Sequence, residues 1–224
     1  MRSSSSGRSI TSVSSASATI YRRLQSSIEK TLRDSGLTKI AGVDEAGRGP
    51  CAGPLVVAAV ILKDPFDPAL ARVQDSKKLT EKLREELFDV ILDCAEAHSI
   101  IEISVEEIDS FGLHKSNIEG MRRAVADLDP APEYVLTDGY AIPGLATPNL
   151  AVWKGDQVAT TISAASILAK VYRDRIMIKI GAEFPEYGFE GHKGYSSALH
   201  MDALRKHGVT VHHRKSFANV AELL

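Results

Sequence analysis

Four carboxylates carry the clearest chemical signal in this chain of 224 residues. Asp44 and Glu45 stand side by side in "GVDEAGRGP" at the end of a short apolar run; Asp138 closes "YVLTDG", and Asp156 lies in "KGD" just ahead of a long helical pattern. Adjacent like charges repel, and neither can be buried cheaply unless a cation or a donor offsets it. Oxygen ligands with no clustered His or Cys suit Mg²⁺ or Mn²⁺ and not zinc. Taken singly, an Asp before Gly is most often a turn residue, and an Asp ahead of a helix most often a helix-end residue. The metal reading rests on the combination at strand ends, and a solvated turn stays open beside it.

To act together, these acids must be carried to one place. "KIAGVD" and "PLVVAAVIL" read as two strands joined as a hairpin across a turn containing Gly47, Gly49, Pro50 and Gly53. Successive side chains of a strand alternate faces, so Asp44 and Glu45 would diverge unless the strand stops at Asp44, which "EAGRG" permits. "LTEKLREELFDVILDCAEA" reads as an amphipathic helix capped by Thr80, with Leu83, Leu87, Val90, Ile91 and Cys94 inward. "HSIIEISV" reads as a strand, "SNIEGMRRAVADL" as a helix burying Ile118, Met121, Val125 and Leu128, and "PEYVLTDG" and "LAVWK" as further strands. A long helix follows over "TTISAASILAKVYRDRIMIKIG", where Ala164, Ala165, Ser166 and Ala169 allow close packing on a sheet. The order is that of an α/β fold, a mixed sheet flanked by helices, and ligands in such sheets gather beyond the carboxyl ends of strands.

Composition narrows the function classes. The chain is 44% hydrophobic and 25% charged, as in a soluble globular protein, and its formal net charge of −2 demands that any polyanion be met by a local basic patch. Cys51 and Cys94 lack the spacing of a zinc site or a disulfide framework, which fits a reducing, cytoplasmic setting. No apolar run approaches a membrane span. Residues 1–36 read as a disordered Ser/Arg-rich extension and 37–224 as one domain; Arg and Ser without acid before Glu29 also resemble an organellar transit peptide, the lesser reading. "GRGPCAG" lacks the Lys and Ser/Thr of a phosphate-binding loop, which disfavours a nucleoside-triphosphate enzyme.

In order and spacing, "AGVDEAGRGPCAGPLVVAAVIL", "DSKKL", "VLTDG", "KGD" with "SAASILAKVYRDR", and "YGFEGHKGYSSALH" with "HHRKSF" resemble the type 2 ribonucleases H from about Lys39 to Phe217. The resemblance implies the ribonuclease H-like fold with a C-terminal helical segment. It implies that Asp44, Glu45, Asp138 and Asp156 bind divalent metal, Mg²⁺ or Mn²⁺, as a two-metal site. Two metals about 3.5 to 4 Å apart can activate the attacking water and stabilise the leaving oxygen of a phosphodiester. The implied substrates are RNA:DNA hybrids and DNA duplexes with embedded ribonucleotides, cut to 3′-hydroxyl and 5′-phosphate ends during ribonucleotide repair or DNA replication.

Selectivity must then come from the 2′-hydroxyl, which distinguishes RNA from DNA. By the same resemblance Gly47, Arg48, Gly49 and Tyr195 sense it; without the family, a tight turn and a half-buried core phenol are the plainer readings. Ser76, Lys77, Lys78, His192 and Lys193 match segments that touch the nucleic-acid backbone, and Lys206, Arg214 and Lys215 could extend the patch. Ser196 stands where a glycine after the tyrosine is more usual. Asp174, between Arg173 and Arg175 on the long helix, reads as an ion-pair or packing residue and not a metal ligand. A monomer is expected, and a weak contact with replication machinery is left open at the carboxyl end. Two other classes stay open: a different metal-dependent nuclease or phosphoryl-transfer enzyme, and a nonenzymatic RNA:DNA-binding module.

Overall fold

The computed structural model describes residues 28–224. Its strands are β1 (Ile40–Ala46), β2 (Leu55–Leu62), β3 (Ala95–Ile103), β4 (Tyr134–Asp138) and β5 (Asn149–Val152), in the spatial order β3-β2-β1-β4-β5. β1 pairs antiparallel with β2 and β2 with β3, while β4 lies parallel to β1 and β5 parallel to β4. The expected mixed sheet and hairpin are present.

Helices α1 (Ile28–Asp34), α2 (Glu81–Cys94), α3 (Val105–Phe111), α4 (Leu113–Ala126), α5 (Thr160–Glu183), α6 (Phe189–His192), α7 (Ala198–His207) and α8 (Ala218–Ala221) surround it. β2 is buried along its whole length because both faces are covered. Val56, Ala58 and Val60 pack with Leu87 and Ile91 of α2 and Ala164, Ala165 and Leu168 of α5. Val57, Ala59 and Ile61 pack with Met121 and Val125 of α4 on the other side. A Cβ at Gly42 would come within 2.1 Å of the Thr161 backbone, so α5 lies directly on β1.

The sheet also explains where α2 ends. The helical pattern of residues 81–97 stops at Cys94, because Ala95 and Ala97 pair with Leu62 and Ile61 and so begin β3. Ladder hydrogen bonds here override the high helix propensity of alanine. The third strand ends at Ile103, before the expected Val105, where Ser104 and Glu107 form a reciprocal capping box and start α3. β5 ends at Val152 and leaves Trp153 and Lys154 outside the sheet.

Helix α1 falls within the stretch 1–36 expected to be an extension, and the rest of that stretch, residues 1–27, lies outside the described ones. The N-cap of α5 is Ala159, which has no capping side chain. Buried Glu29 of α1 takes its place, its Oε1 accepting from Thr161 N–H at 2.8 Å and Thr161 Oγ1 at 3.1 Å. A carboxylate there satisfies a helix-end donor and complements the positive end of the helix dipole. At the other end of α5, the C-terminal helical segment packs Tyr187, Phe189 and Leu204 against Met177 and Ile180.

Candidate active site

β1 does not stop at Asp44, as expected, but pairs with β2 through Glu45↔Val57 and Ala46↔Val56. It is the partner strand that stops: the β1–β4 register ends at Val43↔Thr137, and β4 itself ends at Asp138. Asp44 falls on the α5 side with Gly42, and Glu45 on the α4 side with Val43. With β4 ended beside them, the two acids reach a common space from opposite sides of one strand. Asp44, Glu45 and Asp138 line one cleft; Glu45, Asp138 and Asp156 line a second that adjoins it.

The charges in this space are mutually unfavourable. Burial, then repulsion from Glu45 and Asp138, pushes the Asp44 carboxyl well above its usual range. Burial raises Glu45 to about 7 despite the opposing pull of the Arg48 guanidinium. Burial, Asp138 and Asp75 raise Asp156 to about 6. Such a set is stabilised by a cation.

Among the described residues, no group of three or more His, Cys, Asp or Glu side chains is gathered closely enough to hold an ion as it stands. Local bonds hold two of the carboxylates: Asp138 Oδ1 accepts from Gly155 N–H and Asp44 Oδ1 from Glu45 N–H, each at 2.7 Å. Yet Glu45 Oε2, Arg48 Nε and both polar atoms of the Asn117 amide are buried without hydrogen-bond partners. Of these atoms Glu45 Oε2 and the Asn117 amide oxygen could face a cation, whereas Arg48 Nε and the Asn117 amide nitrogen are donors, and both residues favour the charged form of Glu45 against its burial. The donor set, all oxygen, fits Mg²⁺ or Mn²⁺.

Gly47, Arg48, Gly49 and Tyr195 line the first cleft together with Ser76 and Lys77. Tyr195 is 51% exposed, so the core-phenol reading fails. Gly47 adopts φ +99°, and a Cβ there would meet Arg173 Nε at 2.1 Å. The Arg48 guanidinium stacks on the Tyr140 ring at 4.3 Å. Ser76 is buried and shares a hydrogen bond with Ser166 at 3.0 Å, whereas Lys77 lines both clefts. Lys78 is exposed beside Asp75 and lines neither.

Two arginines shape this wall from beneath. Arg214 is not part of a surface patch: it is fully buried and donates to the carbonyls of Gly47, Arg48, Pro50 and Gly53. Arg173, also buried, donates to Ala52, Pro54 and Lys193. Burial draws their guanidinium groups down to about 9 and 10, still charged at neutral pH. Lys206 and Lys215 are exposed, away from both clefts.

His192 uses both ring nitrogens on its own loop, Nε2 at 2.7 Å from Tyr187 O and Nδ1 accepting from Gly194 N–H at 3.2 Å, so its ring is a loop brace and not an open phosphate contact. Lys193 takes a left-handed φ of +52° and donates to Glu190 O. Behind Tyr195, Thr210 N–H donates to His213 Nδ1, and His200 Nδ1 lies 2.9 Å from Tyr195 O. These backbone partners fix the tautomers, so His213 Nε2–H donates to His200 Nε2 at 3.1 Å. Ser196 has no positive φ, so serine fits where glycine was the usual expectation. Asp174 pairs with Lys170 at 2.7 Å and Arg84 at 3.7 Å, an ion-pair role, though with partners other than its sequence neighbours. Asn117, Arg173, His200 and His213 were not singled out in sequence; the first three are polar residues at buried helical positions, and His213 lies outside any helix, bridged to Ala52.

A mixed β3-β2-β1-β4-β5 sheet with acids at the carboxyl ends of its central strands defines a ribonuclease H-like α/β protein. Among solved structures, ribonuclease H2 from Pyrococcus horikoshii matches with a TM-score of 0.71 and 28% identity over 83% of this chain and 96% of that one. The ribonuclease HII of Archaeoglobus fulgidus, solved with PCNA, matches with a TM-score of 0.68 and 28% identity over 82% of this chain and 96% of that one. The family model for ribonuclease HII matches residues 41–220. Ribonuclease HII of Corynebacterium jeikeium is 56% identical over 87% of this chain and 94% of its own, and that of Mycobacteroides abscessus 54% identical over 86% and 82%. The chain belongs to the ribonuclease HII family, which makes it an enzyme of the ribonuclease H class.

Proposed function

We propose that the chain is an endoribonuclease that cuts the RNA strand of RNA:DNA hybrids and nicks duplex DNA on the 5′ side of embedded ribonucleotides, leaving 3′-hydroxyl and 5′-phosphate ends. The observation that carries this reading is the meeting of acids and recognition residues: Asp44, Glu45 and Asp138 share one cleft wall with Gly47, Arg48, Gly49 and Tyr195. A diester positioned by a 2′-hydroxyl contact there lies over the carboxylates.

Asp44, Glu45, Asp138 and Asp156 would hold Mg²⁺ or Mn²⁺, the basis of the two-metal reading. When bound, divalent metal supplies an activated water and charge stabilisation at the leaving oxygen. Gly47, Arg48 and Gly49 present backbone amides and a guanidinium to the ribose edge, and Tyr195 presents its hydroxyl. Lys77 offsets phosphate charge at the junction of the two clefts. Ser76, His192 and Lys193 support this wall more through its shape than by open contacts, and Lys78, exposed beside Asp75, would meet the backbone only outside the two clefts. The chain acts as a cytoplasmic monomer in ribonucleotide repair, and the Archaeoglobus relative's complex with PCNA favours a contact with replication machinery.

The experiment compares two DNA duplexes, one all deoxyribose and one with a single ribonucleotide, in Mg²⁺ or Mn²⁺, with Asp44→Asn as control. Nicking confined to the 5′ side of the ribonucleotide and lost in the variant is expected. Cleavage of both duplexes would instead support a general nuclease, and tight binding without cleavage a binding module.

A further inference from the structure

Trp153 is the chain's only tryptophan and stands 82% exposed. It follows directly on Val152, the register partner of Asp138. The turn it begins is held firmly: Gly139 N–H donates to Val152 O at 3.0 Å, Lys154 is left-handed at φ +54°, and Gly155 N–H reaches Asp138 Oδ1 at 2.7 Å. Non-glycine residues rarely adopt that conformation, and here it aims the chain back at a catalytic acid. Among the described residues, Trp153 makes no ring or cation–π contact, unlike Tyr140 beside it, which lies under Arg48.

The indole therefore forms an apolar shelf on a rigid turn at the rim of the second cleft, with Lys77 and Lys154 nearby to meet phosphate. That cleft joins the Tyr195 cleft along Glu45, Lys77 and Asp138. A strand crossing the acids from the Tyr195 side runs onto Trp153. Tryptophan suits such a place, since one face can bury apolar surface while its edge stays wet.

We infer that Trp153 is a substrate-binding residue that packs on the sugar edge of the nucleic-acid duplex flanking the scissile phosphate, on the side away from Tyr195. This rests on the nuclease reading above and adds a second anchor to it. Two anchors on either side of the acids fix how far the strand can slide, whereas Tyr195 alone fixes one point. The contact is with sugar and not base edges, so it is independent of sequence.

Two measurements on the full chain test it. Asp44→Asn protein, which should bind without cutting, is titrated with a fluorescently labelled duplex containing one ribonucleotide, and tryptophan emission is followed alongside anisotropy. The emission should change and saturate together with the anisotropy. In the otherwise wild-type enzyme, Trp153→Ala should raise KM about tenfold, the effect of losing some tens of Å² of apolar contact, with kcat within about twofold. Trp153→Phe should recover most of the loss, and the thermal midpoint should not move because the side chain is exposed. Binding and cleavage with unmoved emission and an unchanged KM in Trp153→Ala would overturn the inference and leave the nuclease reading standing. A duplex neither bound nor cut would remove both.

Discussion

Replacing Arg214 by lysine keeps the charge and removes the fork. Arg214 reaches four carbonyls, those of Gly53 at 3.0 Å, Arg48 at 3.3 Å, Pro50 at 2.8 Å and Gly47 at 2.7 Å. A lysine ammonium is a compact donor on a flexible stem and can serve about two of these. Losing two hydrogen bonds to a charged group at about 1.5–3 kcal/mol each gives roughly 3–6 kcal/mol, a large share of the 5–15 kcal/mol typical of a domain. For a chain of this size that lowers the thermal midpoint by about 6–24 °C. Thermal unfolding by circular dichroism measures the first effect, and nicking of a single-ribonucleotide duplex well below the new midpoint measures the second. Activity should fall even where Arg214→Lys remains folded, because the released carbonyls belong to the loop that carries Gly47, Arg48 and Gly49. A midpoint within about 2 °C of wild type together with normal nicking would show that the loop holds its own shape, and the argument would be wrong.

Glu29→Ala removes the surrogate cap of α5 and should cost about 1–2 kcal/mol in denaturant unfolding; an unchanged midpoint would mean that water or a neighbouring group replaces it. Tyr195→Phe should lose more activity on a single embedded ribonucleotide than on a long hybrid, since the former offers one recognition point, and equal losses would count against a ribose-sensing hydroxyl. Burial, with its neighbours His200 and His212, holds His213 down to about 4, so its imidazole should stay neutral at pH 5 by ¹⁵N NMR. The unfolded chain takes up that proton near pH 6.5, so this group subtracts stability as pH falls from about 6.5 to 4, and a ring titrating near 6.5 in the folded protein would refute the assignment.

The elements were legible where burial is one-sided. The 3.6-residue spacing of Leu87 and Ile91, or of Met121 and Val125, reports the helix because only one face of it meets the core. Boundaries set by pairing were not: nothing local distinguishes Ala95 and Ala97 from the helix before them, and only β2 makes them a strand. The start of α3 was missed although Ser104 and Glu107 stand at capping-box spacing. Asp44, Glu45 and Asp138 were visible as residue types at strand ends and Asp156 as an acid ahead of the long helix, but how Asp44 and Glu45 share a cleft was not. Their convergence depends on β4 being shorter than β1, a property of the register and not of either segment. Arg214 looked like a surface cation because charge in a sequence says nothing of depth. Four carbonyls from a glycine-rich loop are what make its burial tolerable.

The bond from Arg214 to the Gly47 carbonyl spans 167 residues. During synthesis the chain emerges from its amino end at about 5–20 residues per second, so the loop is made on the order of ten to thirty seconds before the residue that shapes it. Hairpin β1–β2 can form in that interval, since it needs only neighbours. The recognition wall cannot, for Arg173, His200, His213 and Arg214 all arrive late. A nascent chain would carry Asp44 and Glu45 on that hairpin long before Arg214 could brace the loop that follows them. The loop over residues 47–53 therefore takes its final shape only once Arg214 has been made and buried beneath it.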